Sequence, residues 1–512
     1  MKRIFVTLLA LFMTASLCAC GTSPGQPQDS PAVTLPPSSQ SYVAPIGDSA
    51  LEYNGSATFY LPHKNGGRLV STLQPVTFSA SRPQAESIVR SLLSHPGTSV
   101  ASSLGGNVQL SLYGANPVEV SLNVVTVNLS ASALQMNRGE LYQAMQAISN
   151  TLTELPDIDY VNFLVVDRAV GLDVANTLPI GALGRSLDDS ILSTYEQKLS
   201  NRVTVSDAPE DKPVSANVTL YFPLANSPGL IGEVRTVNFP TQNQPDMVVL
   251  LLEALSQGPS RKDIPSPALS GLTSLLTDEP TIAYSEALGG NVISLNFSQP
   301  LDELLEISGI TRANCMASLC YTLTTFFPGT AGISVSIGGV PVETLMLTES
   351  FSSSVLFTER VMKRSDFAPL LYDLCTLYLP SDDYSRLVST LRPVPYYHRQ
   401  NPRYLLQELA KGPKSCDSVQ DLQAAMPAGG ITDASILGLA KADGTLLVNF
   451  APDFPDILTG FTPQQERMLV YSMVNTLCEN GSIQRVGFFI SGVQPETFTG
   501  EIYWPGLFCP MN

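Results

Sequence analysis

Arg68-Leu69-Val70-Ser71-Thr72-Leu73-Gln74-Pro75-Val76 recurs downstream as Arg386-Leu387-Val388-Ser389-Thr390-Leu391-Arg392-Pro393-Val394, with eight of nine residues agreeing at a constant offset of 318. The same offset carries Tyr60-Leu61-Pro62 onto Tyr378-Leu379-Pro380, and an offset of 325 carries Asn150-Thr151-Leu152 onto Asn475-Thr476-Leu477. Chance does not produce such agreement in a chain of ordinary composition. A whole module is therefore duplicated, and repetition decides the architecture before any single motif is weighed.

Working outward, each copy carries the same punctuation. A short strand ends at Pro62, Pro223 or Pro380, because proline cannot donate to a ladder. A second strand follows. Pro83, Pro245 and Pro402 open a helix at its first turn, where a missing N–H does no harm. Gly258-Pro259 and Gly412-Pro413 close it, the glycine supplying a left-handed cap and the proline preventing continuation; in the first copy His95-Pro96 stands there and His95 is expected to take the cap's place. Strands are expected at 108–112 and 118–129 in the first copy, and at 289–297 and 444–450 in the others. Second helices are expected at 139–153, 311–326 and 463–478, and last strands at 160–166, 333–337 and 486–490. Each copy spans roughly 130 residues, enough to bury its own core. Strands with two helices per copy imply an α+β class: three tandem small domains, each a mixed sheet with two helices.

The boundaries read as a signal peptide at 1–19, a disordered spacer at 20–47 and a first domain at 48–175. A linker with a helix follows at 176–216, then a second domain at 217–345, a linker at 346–372 and a third domain at 373–512. Lys2 and Arg3 precede an apolar run from Ile4 to Leu17 that is too short to span a bilayer, and Leu17-Cys18-Ala19-Cys20-Gly21 resembles a bacterial lipobox. Cys20 is thus the expected lipidation site, with a Pro-, Ser- and Gln-rich tether after it. The chain carries a net charge of −17, which becomes −19 once Lys2 and Arg3 are removed. An acidic chain repels phosphate backbones, so nucleic-acid binding is not expected.

The ordered set of Tyr-x-Pro, Gly-Pro, Val-Asn-Phe and Thr-Leu resembles the GerMN domain family of sporulation and spore germination. Tyr221, Gly258-Pro259, Asn296-Phe297 and Thr322-Leu323 carry the match in the second copy. Tyr378, Gly412-Pro413, Val448-Asn449-Phe450 and Thr476-Leu477 carry it in the third. The first copy departs from it at His95-Pro96 and Val127-Asn128-Leu129. The resemblance implies a fold similar to ring-building motif domains and a non-enzymatic envelope protein held to the membrane by its lipid. Its expected partners are membrane proteins of the sporulation envelope, or further copies of itself. The alternatives are a lipoprotein that binds cell-wall glycan or a small ligand, and an accessory lipoprotein of a membrane sensor.

Chemistry-bearing patterns are sparse. His63, His95 and His398 stand in no His-x-x-x-His frame, and no Cys-x-x-Cys is present, so no metal site is expected. No phosphate loop is present, and no catalytic residue or cofactor is assigned. The acidic pairs Asp188-Asp189, Asp382-Asp383 and Asp453 with Asp456 read as capping and loop residues. Tyr396, Tyr397 and Arg399 form the leading surface candidate for an interface, since Tyr and Arg are favoured anchors; strand-end packing is the alternative. Cys375, Cys416, Cys478 and Cys509 allow three pairings, against which stand buried free thiols. Cys315 and Cys320 are five apart on one expected helix and cannot bond without breaking it.

Overall fold

The computed structural model of the chain describes residues 42–50, 52–79, 82–202, 212–347, 354–500 and 502–511. The expected signal peptide, Cys20 and the spacer up to residue 41 lie outside the described residues.

One α+β plan is built three times. Each module opens with an antiparallel hairpin: Glu52–Pro62 with Leu69–Ser79, Val214–Pro223 with Leu230–Phe239, and Tyr372–Pro380 with Leu387–Pro395. A first helix follows, at Gln84–Ser94, Gln244–Ser256 and Pro402–Ala410. A second antiparallel pair comes next: Val118–Ser121 with Val124–Leu129, Thr281–Ser285 with Gly290–Phe297, and Ile436–Ala442 with Thr445–Phe450. The long second helix is Arg138–Leu152, Arg312–Phe326 or Pro463–Asn480. Asn137, Thr311 and Thr462 cap these helices by accepting the N–H three residues on. The last strand, Tyr160–Val165, Thr330–Ile337 or Arg485–Ile490, runs parallel to the strand before the helix. Parallel neighbours need a crossover connection, and the long helix supplies it.

The sequence pattern predicts a single sheet per module. Instead the first two strands form a two-stranded sheet of their own, and the mixed sheet is separate. The long helix takes the place beside the opening strand, and that strand's outward N–H groups then need side-chain partners. A threonine meets the need three times over. Tyr60 N–H donates to Thr151 Oγ1 (2.9 Å), Tyr221 N–H to Thr322 Oγ1 (3.1 Å) and Tyr378 N–H to Thr476 Oγ1 (3.0 Å). All three threonines are buried. The Thr151 hydroxyl in turn donates to Ala147 O (2.9 Å), so the group is satisfied as donor and acceptor.

The one mismatch in the repeated nonapeptide has a structural meaning. Gln74, Arg235 and Arg392 occupy one register position, opposite the residue three before the opening tyrosine. Arg235 Nη2 donates to Gly258 O (2.5 Å), and Arg392 Nη2 to Gly412 O (2.6 Å). The arginine thus binds the carbonyl of the Gly-Pro helix end, where Gly258 and Gly412 sit at φ +73° and +68°. Module one has neither partner: Gln74 turns to Thr72 Oγ1 (3.0 Å). His95 does not take the left-handed cap expected of it but is extended at φ −71°, and Gly97, at φ +95°, makes the turn two residues later. Arg392 is fully buried and also donates to Asp417 through Nε and Nη2 (2.6 Å each).

Other expectations are revised. Residues 108–112 form no strand, only a single bridge from Leu112 to Leu129, because Val118–Ser121 already holds that sheet edge. Gly47–Ala50, at the expected start of module one, does not join that module's sheets. It pairs in parallel with the edge strand of module three, where a side chain on Gly438 would strike Pro45 O. The helix expected in the first linker is Ile191–Arg202 and packs on module one through Ile191 and Tyr195. The second linker is built into module two's core by Phe357, Met362, Phe367 and Leu370. All six cysteines of the described residues are free: Cys315, Cys320 and Cys375 are buried, Cys416 and Cys478 partly so, and Cys509 is exposed.

Replacing Thr322 by Val keeps the shape and strands the Tyr221 N–H in a dry site, so chemical denaturation is expected to show a loss of about 1–3 kcal/mol, with Thr322→Ser costing less. An unchanged midpoint for Thr322→Val contradicts this. Acid should weaken module three. Burial alone would raise the Glu408 carboxyl, but hydrogen bonds from Lys411 and Lys414 outweigh it and hold the pKa at about 2. The unfolded value lies higher, at about 4.3, so the contribution is complete above that pH and is lost as pH falls toward about 2. Urea midpoints of the Lys411→Ala/Lys414→Ala double variant should lack this part of the slope.

Candidate functional site: the joint between the three modules

Modules joined by linkers could hang as beads. Here the turn of module one's second hairpin is driven between the other two. Val118–Ser121 and Val124–Leu129 are joined through Leu122, a non-glycine residue at φ 51°. Such backbone costs about 1–3 kcal/mol and persists only where surroundings hold it. They do so here. Leu122 N–H donates to Asp373 Oδ1 of module three (2.8 Å). The Leu122 side chain packs on a cluster of Leu224, Ile231 and Ile264 from module two with Leu374 from module three. Next to it, Ser121 Oγ donates to Tyr372 O (2.8 Å) and accepts from Gly232 N–H (2.9 Å). A single hydroxyl thus ties all three modules.

Tyr396 and Arg399 fall on this joint, and Tyr397 stays exposed at its rim. Tyr396 is buried against module one and module two, with only 5 % exposure. Its ring meets Tyr397 edge-on at 5.5 Å, and burial raises its hydroxyl pKa well above the usual phenol. Arg399 Nε donates to Leu374 O (3.0 Å) and lies 3.3 Å from Asp373 Oδ2 and, through Nη2, 3.7 Å from Asp157 of module one. Burial raises the Asp373 pKa, and the Arg399 charge works against that rise. Tyr397 and Arg399 line a cleft between modules one and three with Pro83, Gln84 and Leu155. Its volume is about 80 Å³, below the roughly 300 Å³ at which small-molecule sites begin.

Further polar contacts hold the same arrangement. Arg364, buried in module two's following segment, bonds the Glu119 carboxylate of module one, Thr325 Oγ1 (2.5 Å) and Tyr221 Oη (3.3 Å), with its guanidinium 3.9 Å from the Tyr321 ring centre. Asn162 Nδ2 donates to Thr219 Oγ1 (2.8 Å), and the Arg168 guanidinium binds the carbonyls of Leu288 and Gly289. Gln84 Nε2 donates to Ser482 Oγ (2.6 Å). The Val-Asn-Phe asparagine of module three, Asn449, donates from Nδ2 to Pro45 O (3.0 Å), and Arg403 pairs with Asp48 (2.7 Å). Sequence reasoning singled out Tyr396, Tyr397 and Arg399 but missed Ser121, Leu122 and Asp373, which carry no local signal.

The remaining candidates are dispersed. His63 and His95 each accept a local N–H, from Asn65 and Gly97 (3.0 Å each), and His398 stacks on Tyr404 at 4.2 Å. Asp188 accepts from Thr194 Oγ1 (2.9 Å), Asp383 from Ser381 and Ser385 in a hairpin turn, and Asp453 begins the short 3-10 helix Phe454–Leu458. Among the described residues no group of three or more His, Cys, Asp or Glu could hold a metal ion, and no helix is long and apolar enough to cross a membrane.

Comparison with known proteins adds the following. The family model described as Germane, sporulation and spore germination, matches residues 58–170, 219–343 and 376–496. The tandem GerMN domains of the sporulation protein GerM from Bacillus subtilis are similar at 18 % identity and a TM-score of 0.23, covering 60 % of this chain and 99 % of that one. The first GerMN domain of the same protein gives 17 % identity and a TM-score of 0.20, covering 27 % of this chain and 96 % of that one. No curated protein matches the chain.

Leu122→Asp would place a carboxylate in the apolar cluster beside Asp373, leaving the three separate cores intact. The joint should lose about 3 kcal/mol or more, as for other core disruptions. Calorimetry should then show the thermal transition splitting into several, with far-UV dichroism retained at low temperature; a single wild-type transition would speak against the joint.

Proposed function

Because the chain belongs to the Germane family of sporulation and spore germination proteins, three copies of whose domain fill most of its length, we propose that it is a lipid-anchored, extracytoplasmic scaffold of the sporulation and germination envelope machinery. It acts through protein–protein contacts of its modules and without catalysis. The observation that carries this reading is the joint. Three copies of one domain are fixed in a set orientation by Ser121, Leu122 and Asp373, as a rigid presenter of surfaces requires. The residue types on which catalysis commonly relies are spent elsewhere, His63 and His95 on local turns and Asp383 on a hairpin. The acidic surface is consistent with contact to proteins rather than to nucleic acid or anionic lipid. Attachment rests on Cys20, whose lipid would hold the chain to the membrane while the Pro-rich tether gives reach.

Two measurements test the reading together. Cys20→Ala should abolish incorporation of a labelled fatty acid and move the protein from the membrane to the soluble fraction. Cross-linked membranes from sporulating cells should yield defined membrane proteins with the wild-type chain. A chain that stays membrane-bound without Cys20, or that captures no envelope protein and whose deletion leaves sporulation and germination unchanged, would refute the proposal.

A further inference from the structure

Two cysteines of module three stand on the two sides of a contact that module one also makes. In module one the chain returns after its last strand, pairs Leu183 with Val161 and then crosses the long helix. Asn150 Oδ1 accepts Ser186 N–H (2.9 Å), and its Nδ2 donates to Ser186 O (2.7 Å). Beside this clamp the Arg185 guanidinium pairs with the Glu154 carboxylate, so an ion pair fastens the crossing.

Module three makes the same crossing. Val486 bridges Phe508, Asn475 Oδ1 accepts Met511 N–H (2.8 Å), and Asn475 Nδ2 donates to Met511 O (2.8 Å). Each of these residues lies 325 positions after its counterpart in module one. The Phe508 ring also meets Tyr471 edge-on at 6.1 Å. Tyr471, Asn475 and Cys478 share one face of the helix Pro463–Asn480, at successive spacings of four and three. Cys509 lies in the chain between Phe508 and Met511, which are held on that face. The fastening itself has changed. Pro510 stands at the place of Arg185, so no ion pair can form with Glu479, the counterpart of Glu154. One residue earlier on each side, Thr153 and Gly184 of module one are replaced by Cys478 and Cys509. Both members of a facing pair have thus become cysteine where the ion pair was lost.

We propose that Cys478 and Cys509 join in a disulfide that fastens the segment Phe508–Met511 to the long helix of module three. The inference rests on the extracytoplasmic reading for its oxidant, since disulfides form and persist outside the cytosol. Cys478 is partly buried and Cys509 exposed, and both are free thiols in this structure. Burial raises the Cys478 thiol to about 12, and the neighbouring Cys509 and Glu479 add to the rise. The other two cysteines of the module belong to a different contact. Cys375 lies opposite Arg392 in the opening hairpin, and Cys416 precedes Asp417, which binds that arginine. The step is thiol–disulfide exchange with a disulfide-bearing oxidant. Exposed Cys509, as thiolate, attacks one oxidant sulfur, and the oxidant's S–S bond breaks. Cys478 then attacks Cys509 Sγ, forms the Sγ–Sγ bond and releases that sulfur. Two electrons and the two thiol protons pass to the oxidant, which leaves as two thiols.

The test is mass mapping of the full chain purified from membranes with N-ethylmaleimide present and digested without reduction. One peptide pair should be joined through Cys478 and Cys509. A sample reduced and then treated with oxidised glutathione should regain the same link. Dithiothreitol should lower the thermal midpoint of the wild-type chain by roughly 5–10 °C. The midpoint of Cys509→Ser, altered at an exposed position that spares the core, should not move. Alkylated Cys478 and Cys509 in the membrane sample, with the link restored by oxidised glutathione, would keep the pair and refute the extracytoplasmic reading. No link in either sample, Cys509 joined to Cys416 or to a second copy, or an equal effect of dithiothreitol on Cys509→Ser, overturns the proposal.

Discussion

A buried strand edge is the constraint from which the rest of this molecule follows. The opening strand of each module has an outward row of backbone groups, and the neighbour that covers it is a helix whose own backbone is already bonded. A threonine on that helix resolves the conflict by accepting the tyrosine N–H, at Thr151, Thr322 and Thr476. The bond fixes the height of the hairpin against the helix. That in turn sets where the mixed sheet lies and where the chain leaves the module. The Tyr-x-Pro and Thr-Leu elements, far apart in sequence, are two ends of one contact.

Repetition did not make the modules interchangeable. Their mixed-sheet edges have three different fates. Module one's edge is buried in the joint, module three's is extended by Gly47–Ala50, and module two's, Thr281–Ser285, is bonded on one side only among the described residues. The following segments differ as well: a helix for module one, a short turn for module two and an irregular segment clamped at Met511 for module three. Divergence after duplication thus concentrated on what each copy touches, while the internal strand–helix contact stayed the same.

Much of the plan was legible from proline and glycine. Pro402 at a helix start and Gly258 and Gly412 at φ > 0 behave as their residue types dictate. The lone mismatch in the repeated stretch was also a readable signal: Arg392, like Arg235, goes with a Gly-Pro helix end, and Gln74 with its absence. What could not be read is pairing at long range. Gly47–Ala50 reads as the start of module one until it meets Gly438 of module three, and Ser121 and Leu122 are ordinary residues until two other modules close on them. Tyr396, Tyr397 and Arg399 were visible as anchors, because aromatic rings beside a guanidinium suit a packed interface. That the interface lies within the chain depends on the hairpin turn of module one, which no local pattern announces.

The central claim is that three copies of one domain form one body. Small-angle X-ray scattering of the chain without its signal peptide tests it most directly. The joint predicts a compact particle with a radius of gyration of about 23 Å, the scaling value for a single folded body of this length, unchanged by salt. A markedly larger radius, with the profile of independently moving lobes, would contradict it.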